Sequence, residues 1–263
     1  MGKNRIPVTL WAFWLPGCAL LAALVFYVAR GGEVTSSIPN GHIDLSQPSS
    51  PCLNPNDCLE PSPALVAAYN DAGACAPTLA DGLRLCLALL GDVHPELVAH
   101  VVDYYESEHG LAIRVLPPLA IPQELLPIVE PQYSADWLME LVRDAYPAES
   151  MDADVRLIAL TAVDIWLEGR TRWSWAFGQL SSPPGRGQGY VHGIISVYRM
   201  DSRSWGPFYS EDAFYGRVRK MMNKYVAVTY FGLPMSSDPT SVTYNNILSV
   251  RDLDLMADRI PVP

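Results

Sequence analysis

The stretch SEDAFYGRVRKMMNKYVAVTYFGLPM, residues 210–235, decides how the rest of the chain is read. It has the pattern of one long helix. Ser210 stands where a hydroxyl can accept from a free N–H of the first turn, and Glu211 and Asp212 suit the positive end of the helix dipole. Phe214, Val218, Met221, Met222, Tyr225, Val228 and Thr229 recur at spacings of three and four, which predicts one buried face. Arg217, Arg219, Lys220 and Lys224 fall on the remainder. Gly232 followed by Pro234 is a stop signal. On its own this pattern describes an ordinary buried helix; its neighbours give it a further meaning.

Upstream, residues 83–90 form a short apolar run, LRLCLALL, that predicts a buried strand. Residues 94–108 place Leu97, Val98, Val101, Val102 and Tyr105 on one helical face, closed by His109 and Gly110. Residues 111–116 read as the next strand. Strand, helix and strand with short joints predict a β-α-β unit with parallel strands. Five prolines between 117 and 131 follow, then a helix over 136–146 with Trp137, Leu138, Leu141 and Val142 inward. Strands are expected over 155–165, 173–180 and 190–200, with a Gly/Pro/Ser loop at 181–189. After the long helix, Ser249 with Asp252 three residues on predicts a short capped helix. A short helix is also expected near 62–70.

The chain has 263 residues, a net charge of -10 and a pI near 4.9. With no basic stripe, nucleic acid is not an expected partner. Residues 6–29 carry no charge and are long enough to span a bilayer as a helix. Lys3 and Arg5 before the run, against Arg30 after it, favour the N-terminus inside and the rest outside. The expectation is an uncleaved, single-pass anchor at 1–30. A cleaved signal peptide is the alternative, although FYVAR offers no small-residue cleavage site. Leu15-Pro16-Gly17-Cys18 has some likeness to a lipoprotein box, but the apolar run continues past Cys18. Residues 31–63, rich in Pro, Ser and Gly, read as a linker, and 64–263 as the main domain. Cys52, Cys58, Cys75 and Cys86 are an even, clustered set, which in an oxidising compartment predicts two disulfides. Cys52 with Cys58 and Cys75 with Cys86 close the shortest loops. The alternative leaves Cys86 as a buried free thiol.

Taken in order, these segments resemble the archaemetzincins, a family of small metzincin-like zinc proteases. The run ALLGDVHPELVAHVVDYYESEHGLAIRVLPPLAIP resembles the family's opening strand, helix and strand with its proline-rich exit. Gln132-Tyr133 before a helix, LIALTAVDIW with its Thr and Asp, and WAFGQL followed by GIISVYRM resemble the blocks that lead to the active-site helix. Tyr244-Asn245-Asn246 followed by SVRDLD resembles the segment after the Met-turn. The likeness covers about residues 83–258 and implies an α/β fold: a metzincin-like mixed sheet with a long helix equivalent to the active-site helix, preceded here by one transmembrane helix.

The resemblance also shows what is missing. The family motif H-E-x-x-H-x-x-G-x-x-H sets two His on one helix face, a Glu as base, a Gly turn and a third His. With Gly232 as the turn, the ligand positions hold Tyr225, Thr229 and Met235, and the base position holds Val226. The Met-turn position holds Thr243, and no Cys follows Cys86 to build the family's second zinc site. No imidazole or thiolate is left to hold a catalytic zinc and no carboxylate to take a proton from water, so no cofactor is expected. Of the His residues, His42, His94, His100, His109 and His192, only His192 lies in the C-terminal half, and it suits a strand better than a metal. Asp164, Asp238, Asp252 and Asp254 are too scattered in sequence to suggest a cation site.

The reading is therefore a membrane-anchored pseudoprotease whose domain lies on the extracytoplasmic, periplasmic side and binds a peptide or protein. Such clefts take extended chains along an edge strand. The strand carrying Tyr190, His192, Ile194 and Ser196 is the expected edge. The alternatives are an active metallopeptidase with non-standard ligands and a purely structural envelope protein.

Overall fold

A computed structural model describes residues 58–70, 75, 82–123, 132–169, 175–182, 189, 191–201 and 210–261. The anchor, most of the linker, Cys52, His42 and Tyr190 lie outside them. Among the described residues no helix is long and apolar enough to cross a membrane.

Residues 58–62, assigned above to the linker, are already part of the fold. Cys58 and Leu59 are buried, and their carbonyls accept from Asp92 N (2.8 Å) and Ile121 N (2.8 Å). Helix α1 (Pro63–Tyr69) follows, capped by Ser62. Strand β1 (Arg84–Leu90) is buried along almost its whole length, as suits a run of Leu and Ala in the middle of a parallel sheet. Helix α2 (Pro95–His109) and strand β2 (Ile113–Val115) complete the β-α-β unit, and β2 pairs parallel to β1 with Leu85 opposite Ile113.

Strand β3 (Gln132–Ser134) leads into α3 (Ala135–Ala145) and the short α4 (Pro147–Met151). The inward face of α3 differs from expectation. Ala135, Leu138, Met139 and Val142 are buried, whereas Trp137 is 47% exposed. Ser134 caps the helix one residue earlier than expected, accepting from Trp137 N, and the buried set then runs at i, i+3, i+4 and i+7.

The expected strand over 155–165 is two strands, β4 (Val155–Thr161) and β5 (Asp164–Trp166). Thr161 makes the break. Its hydroxyl donates to Leu90 O (3.0 Å) and accepts from Val163 N (3.3 Å), a side-chain-mediated turn. The same device ends β7 (His192–Ser196): the Ser196 hydroxyl donates to Val163 O (2.6 Å) and accepts from Tyr198 N (3.3 Å), and a 3-10 turn (Tyr198–Met200) follows. Between them, β6 (Gly178–Ser181) returns antiparallel to β7.

The main sheet has the order β2-β1-β4-β7-β6, parallel except for β6, and β3 with β5 forms a separate parallel pair. The edges are therefore β2 and β6. The strand expected there, β7, lies inside the sheet because the antiparallel return places β6 beyond it. Helices cover both faces. Long helix α5 (Glu211–Thr229) packs on one face beside α2, to which Tyr105 ties it by donating to Asn223 Oδ1 (2.6 Å). Helix α3 covers the other face: Gln179 donates to Asp136 Oδ1 (2.8 Å) and Arg143 to the Ser181 hydroxyl (3.4 Å). The capped helix α6 (Val250–Leu255) follows near the C-terminus, with Ser249 accepting from Asp252 N.

Cys75 and Cys86 form a disulfide with their Cα atoms 6.0 Å apart, as the short-loop pairing predicts. Cys58 is also disulfide-bonded. In the native, non-reduced full chain, these three cysteines are expected to resist a thiol-specific reagent until the chain is unfolded and reduced. Mass analysis that finds free thiols at Cys75 and Cys86 would overturn that pairing.

Candidate functional site

The site is built where the C-terminal half of α5 meets β6 and β7. Ser210 caps the helix by accepting from Ala213 N (3.3 Å), as the sequence predicts. At the other end Arg156 of β4 donates from Nε to Thr229 O (2.6 Å), a cation on the negative end of the dipole. Gly232 has φ +67°, and Leu233 N reaches back to Ala227 O (2.9 Å) across it. A left-handed residue at that place is what a sharp helix stop requires, so the Gly turn is kept.

At the ligand positions, Tyr225 and Thr229 are packed as core or turned onto the chain's own backbone. Tyr225 is buried, and its ring lies against the bare backbone of two neighbouring strands. A Cβ added at Gly193 would sit 2.5 Å from Tyr225 Cε1, and one at Gly178 would sit well inside 3 Å of the phenol oxygen. Ordinary contacts begin near 3.4 Å, so only glycine at both positions admits this ring. Burial pushes the phenol pKa far up, which keeps the ring neutral. Val226, at the base position, has no exposed surface. The Thr229 hydroxyl donates to Tyr225 O (2.7 Å), turned back onto its own helix. Met235 is half-buried. Thr243 is buried, with its hydroxyl 3.2 Å from that of Ser241, in a loop where Ser236 N donates to Thr243 O (3.0 Å) and Asn245 N to Ser236 O (3.0 Å).

The donor set does not fit a catalytic zinc. It offers a neutral buried phenol, a committed hydroxyl, a thioether and no carboxylate, where zinc takes imidazole, thiolate or carboxylate. Among the described residues no group of three or more His, Cys, Asp and Glu gathers to hold a metal. His192 lies on the wrong face. Alternate strand residues point oppositely, and Gly193 faces α5, so His192, Ile194 and Ser196 face α3. His100 stacks on Tyr215 at 4.8 Å, His109 packs against Tyr104 and Tyr105, and burial lowers the pKa of both. The aspartates are engaged separately: Asp164 with Arg199, Asp254 with Arg217, Asp252 at the start of α6, and Asp238 accepting from Thr240.

Two of the α5 residues assigned to a face above depart from it. Val228 is half-buried, and Lys224, placed on the polar face by sequence, is only 7% exposed. The C-terminal segment covers that side of the helix: Arg217 pairs with Asp254 (2.8 Å) and Lys220 donates to Asp254 O (2.7 Å). Burial lowers the Lys224 pKa from 10.5 to about 8. The unfolded chain keeps this proton up to pH 10.5 and the folded chain releases it near 8. Burying the ammonium therefore costs stability below pH 8, and the cost vanishes as pH rises towards 10.5. Lys224→Met is expected to raise stability at pH 7 by about 1–3 kcal/mol, with the gain shrinking between those pH values. Denaturant unfolding at pH 7 and pH 10 checks this; a loss at pH 7 would contradict it.

Sequence reasoning missed the glycine slot, although glycine inside a strand signals close backbone approach. It also missed the Asp164 network. Arg199 grips Asp164 with two bonds (2.8 and 2.6 Å), Gln132 donates to the same carboxylate (2.8 Å), and the Arg199 guanidinium stacks 4.8 Å over Trp175. This joins β3, β5 and the turn after β7.

No family model and no curated protein matches this chain. Among solved structures, it is similar to a zinc-dependent peptidase from Methanocorpusculum labreanum (strain Z), with a TM-score of 0.52, 18% identity and coverage of 67% of this chain and 95% of that one. Archaemetzincins from Archaeoglobus fulgidus (TM-score 0.49, 17% identity, 67% and 94% covered) and Methanopyrus kandleri (0.48, 22%, 67% and 88%) were also found. At these identities the likeness is one of fold. In its α/β architecture this chain is similar to that zinc-dependent peptidase, and archaemetzincins, the family its ordered sequence blocks resemble, are among the structural neighbours found.

Proposed function

We propose that this chain is a membrane-anchored, exported archaemetzincin-like pseudoprotease that binds extended peptide without zinc. The observation that carries the reading is the seat of Tyr225. A full aromatic ring stands at the first ligand position, enclosed by Gly178 and Gly193, with Val226 buried at the base position. The cleft edge in this reading is β6 in place of β7. All four of its residues are half-buried, so the strand is partly open to an incoming chain. An extended peptide adds to such an edge by backbone pairing. In this reading the uncharged run at 6–29 is the anchor and the 31–57 stretch the tether, and Lys3 and Arg5 ahead of the run favour the domain on the extracytoplasmic side. The acidic charge argues against nucleic acid.

The test is incubation of the full chain, in detergent micelles, with unfolded casein. Retention of whole, uncleaved casein on the immobilised chain is expected. Chelator-sensitive cleavage would overturn the reading, and so would a failure to retain any casein.

A further inference from the structure

Strand β6 is four residues long and pairs with β7 alone in the described sheet. So short an edge has little hold of its own. From the α3 face, Gln179 and Ser181 are held by single side-chain hydrogen bonds to Asp136 and Arg143. From the α5 face the support is different in kind. Gly178 stands opposite Ile195 and Leu180 opposite Gly193, so the two glycines lie diagonally across the strand pair on one face. The Tyr225 ring runs beneath both. Its Cδ1 and Cε1 edge meets Gly193 and its hydroxyl meets Gly178. The ring is fully buried and touches backbone, so it has no flexible side chain to push aside.

We infer that Tyr225 is a positioning residue: its ring, seated in the Gly178–Gly193 slot, fixes how far the edge strand β6 stands from α5 and so presents that edge for backbone pairing. The pairing role rests on the peptide-binding reading above; the fixing of the strand does not. A smaller side chain leaves space under β6, and the edge loosens while the sheet interior keeps its place. Ring carbon Cζ also lies against Gly178, 3.1 Å from where a Cβ there would stand, so phenylalanine loses the hydroxyl's contact but keeps the ring under the strand.

Hydrogen exchange of the full chain in detergent, read by mass spectrometry, tests this. Tyr225→Ala is expected to speed exchange at Gly178–Ser181 by about tenfold relative to β1, and to weaken casein retention. Tyr225→Phe is expected to leave both within about twofold of the parent chain. If Tyr225→Ala does not fold, Tyr225→Leu, which fills part of the slot, is expected to show the same local effect to a smaller degree. A rise in exchange equal in β1 and β6 would mean a general loss of stability and would overturn the inference. So would a Phe variant as loose as the Ala variant. If the parent chain retains no casein yet β6 responds as described, peptide binding fails and the positioning role stands. If the parent retains casein and the Ala variant exchanges and binds as the parent does, only the positioning role fails.

Discussion

Restoring the zinc motif by Tyr225→His, Val226→Glu, Thr229→His and Met235→His together is expected to lower the stability of the metal-free chain by about 2–5 kcal/mol, and not to return an enzyme unaided. Each change has its own cost. Imidazole is smaller than phenol, so Tyr225→His empties part of the Gly178–Gly193 slot and leaves a ring nitrogen to be satisfied there. Val226 has no exposed surface, so a glutamate in its place buries a carboxylate without a partner. Thr229 sits almost fully buried with its hydroxyl bonded to Tyr225 O, and an imidazole is both larger and unmatched to that acceptor. Met235 is half-buried and should tolerate exchange best. The four sites are neighbours on one turn and its exit, so their costs do not sum in full. Zinc would recover part of the loss by binding the folded form alone. Denaturant unfolding with and without added zinc reads both effects. A variant as stable as its parent without metal would show that these positions are not packed as described.

Asp164→Ala should be the most damaging single exchange among the polar residues, costing about 3–5 kcal/mol. The carboxylate is 3% exposed and the Arg199 side chain 17%, so neither charge is well screened. Removing Asp164 takes two bonds from the Arg199 guanidinium and one from the Gln132 amide at once. It also unties three pieces of chain, β3, β5 and the turn after β7. The double variant Asp164→Ala with Arg199→Met is expected to be more stable than Asp164→Ala alone, because the guanidinium that lost its carboxylate has gone. A single variant within about 1 kcal/mol of the parent would contradict the account.

Much of the architecture was legible from local pattern. The α5 stretch gave its cap, its stop and most of its buried face, since those depend on spacing of three and four within one segment. The β1, α2 and β2 unit was legible for the same reason. What escaped depends on partners distant in sequence. Thr161 and Ser196 end their strands through side-chain bonds that no apolar period reveals. Strand β7 reads as an edge until the antiparallel return of β6 encloses it. Lys224 belongs to the polar face until the C-terminal segment covers it. The site itself was half legible: the missing His and Glu are plain in the sequence, but the reason a tyrosine can stand in their place lies in two glycines brought beneath it by the sheet.

The most direct test of the central claim is the metal content of the full chain, purified in detergent from cells grown with ample zinc and dialysed without chelator. Far less than one equivalent of zinc per chain is the predicted result, because the positions facing the slot offer no ligand set that zinc takes. One tightly held zinc per chain, lost together with a drop in unfolding temperature on chelation, would contradict it.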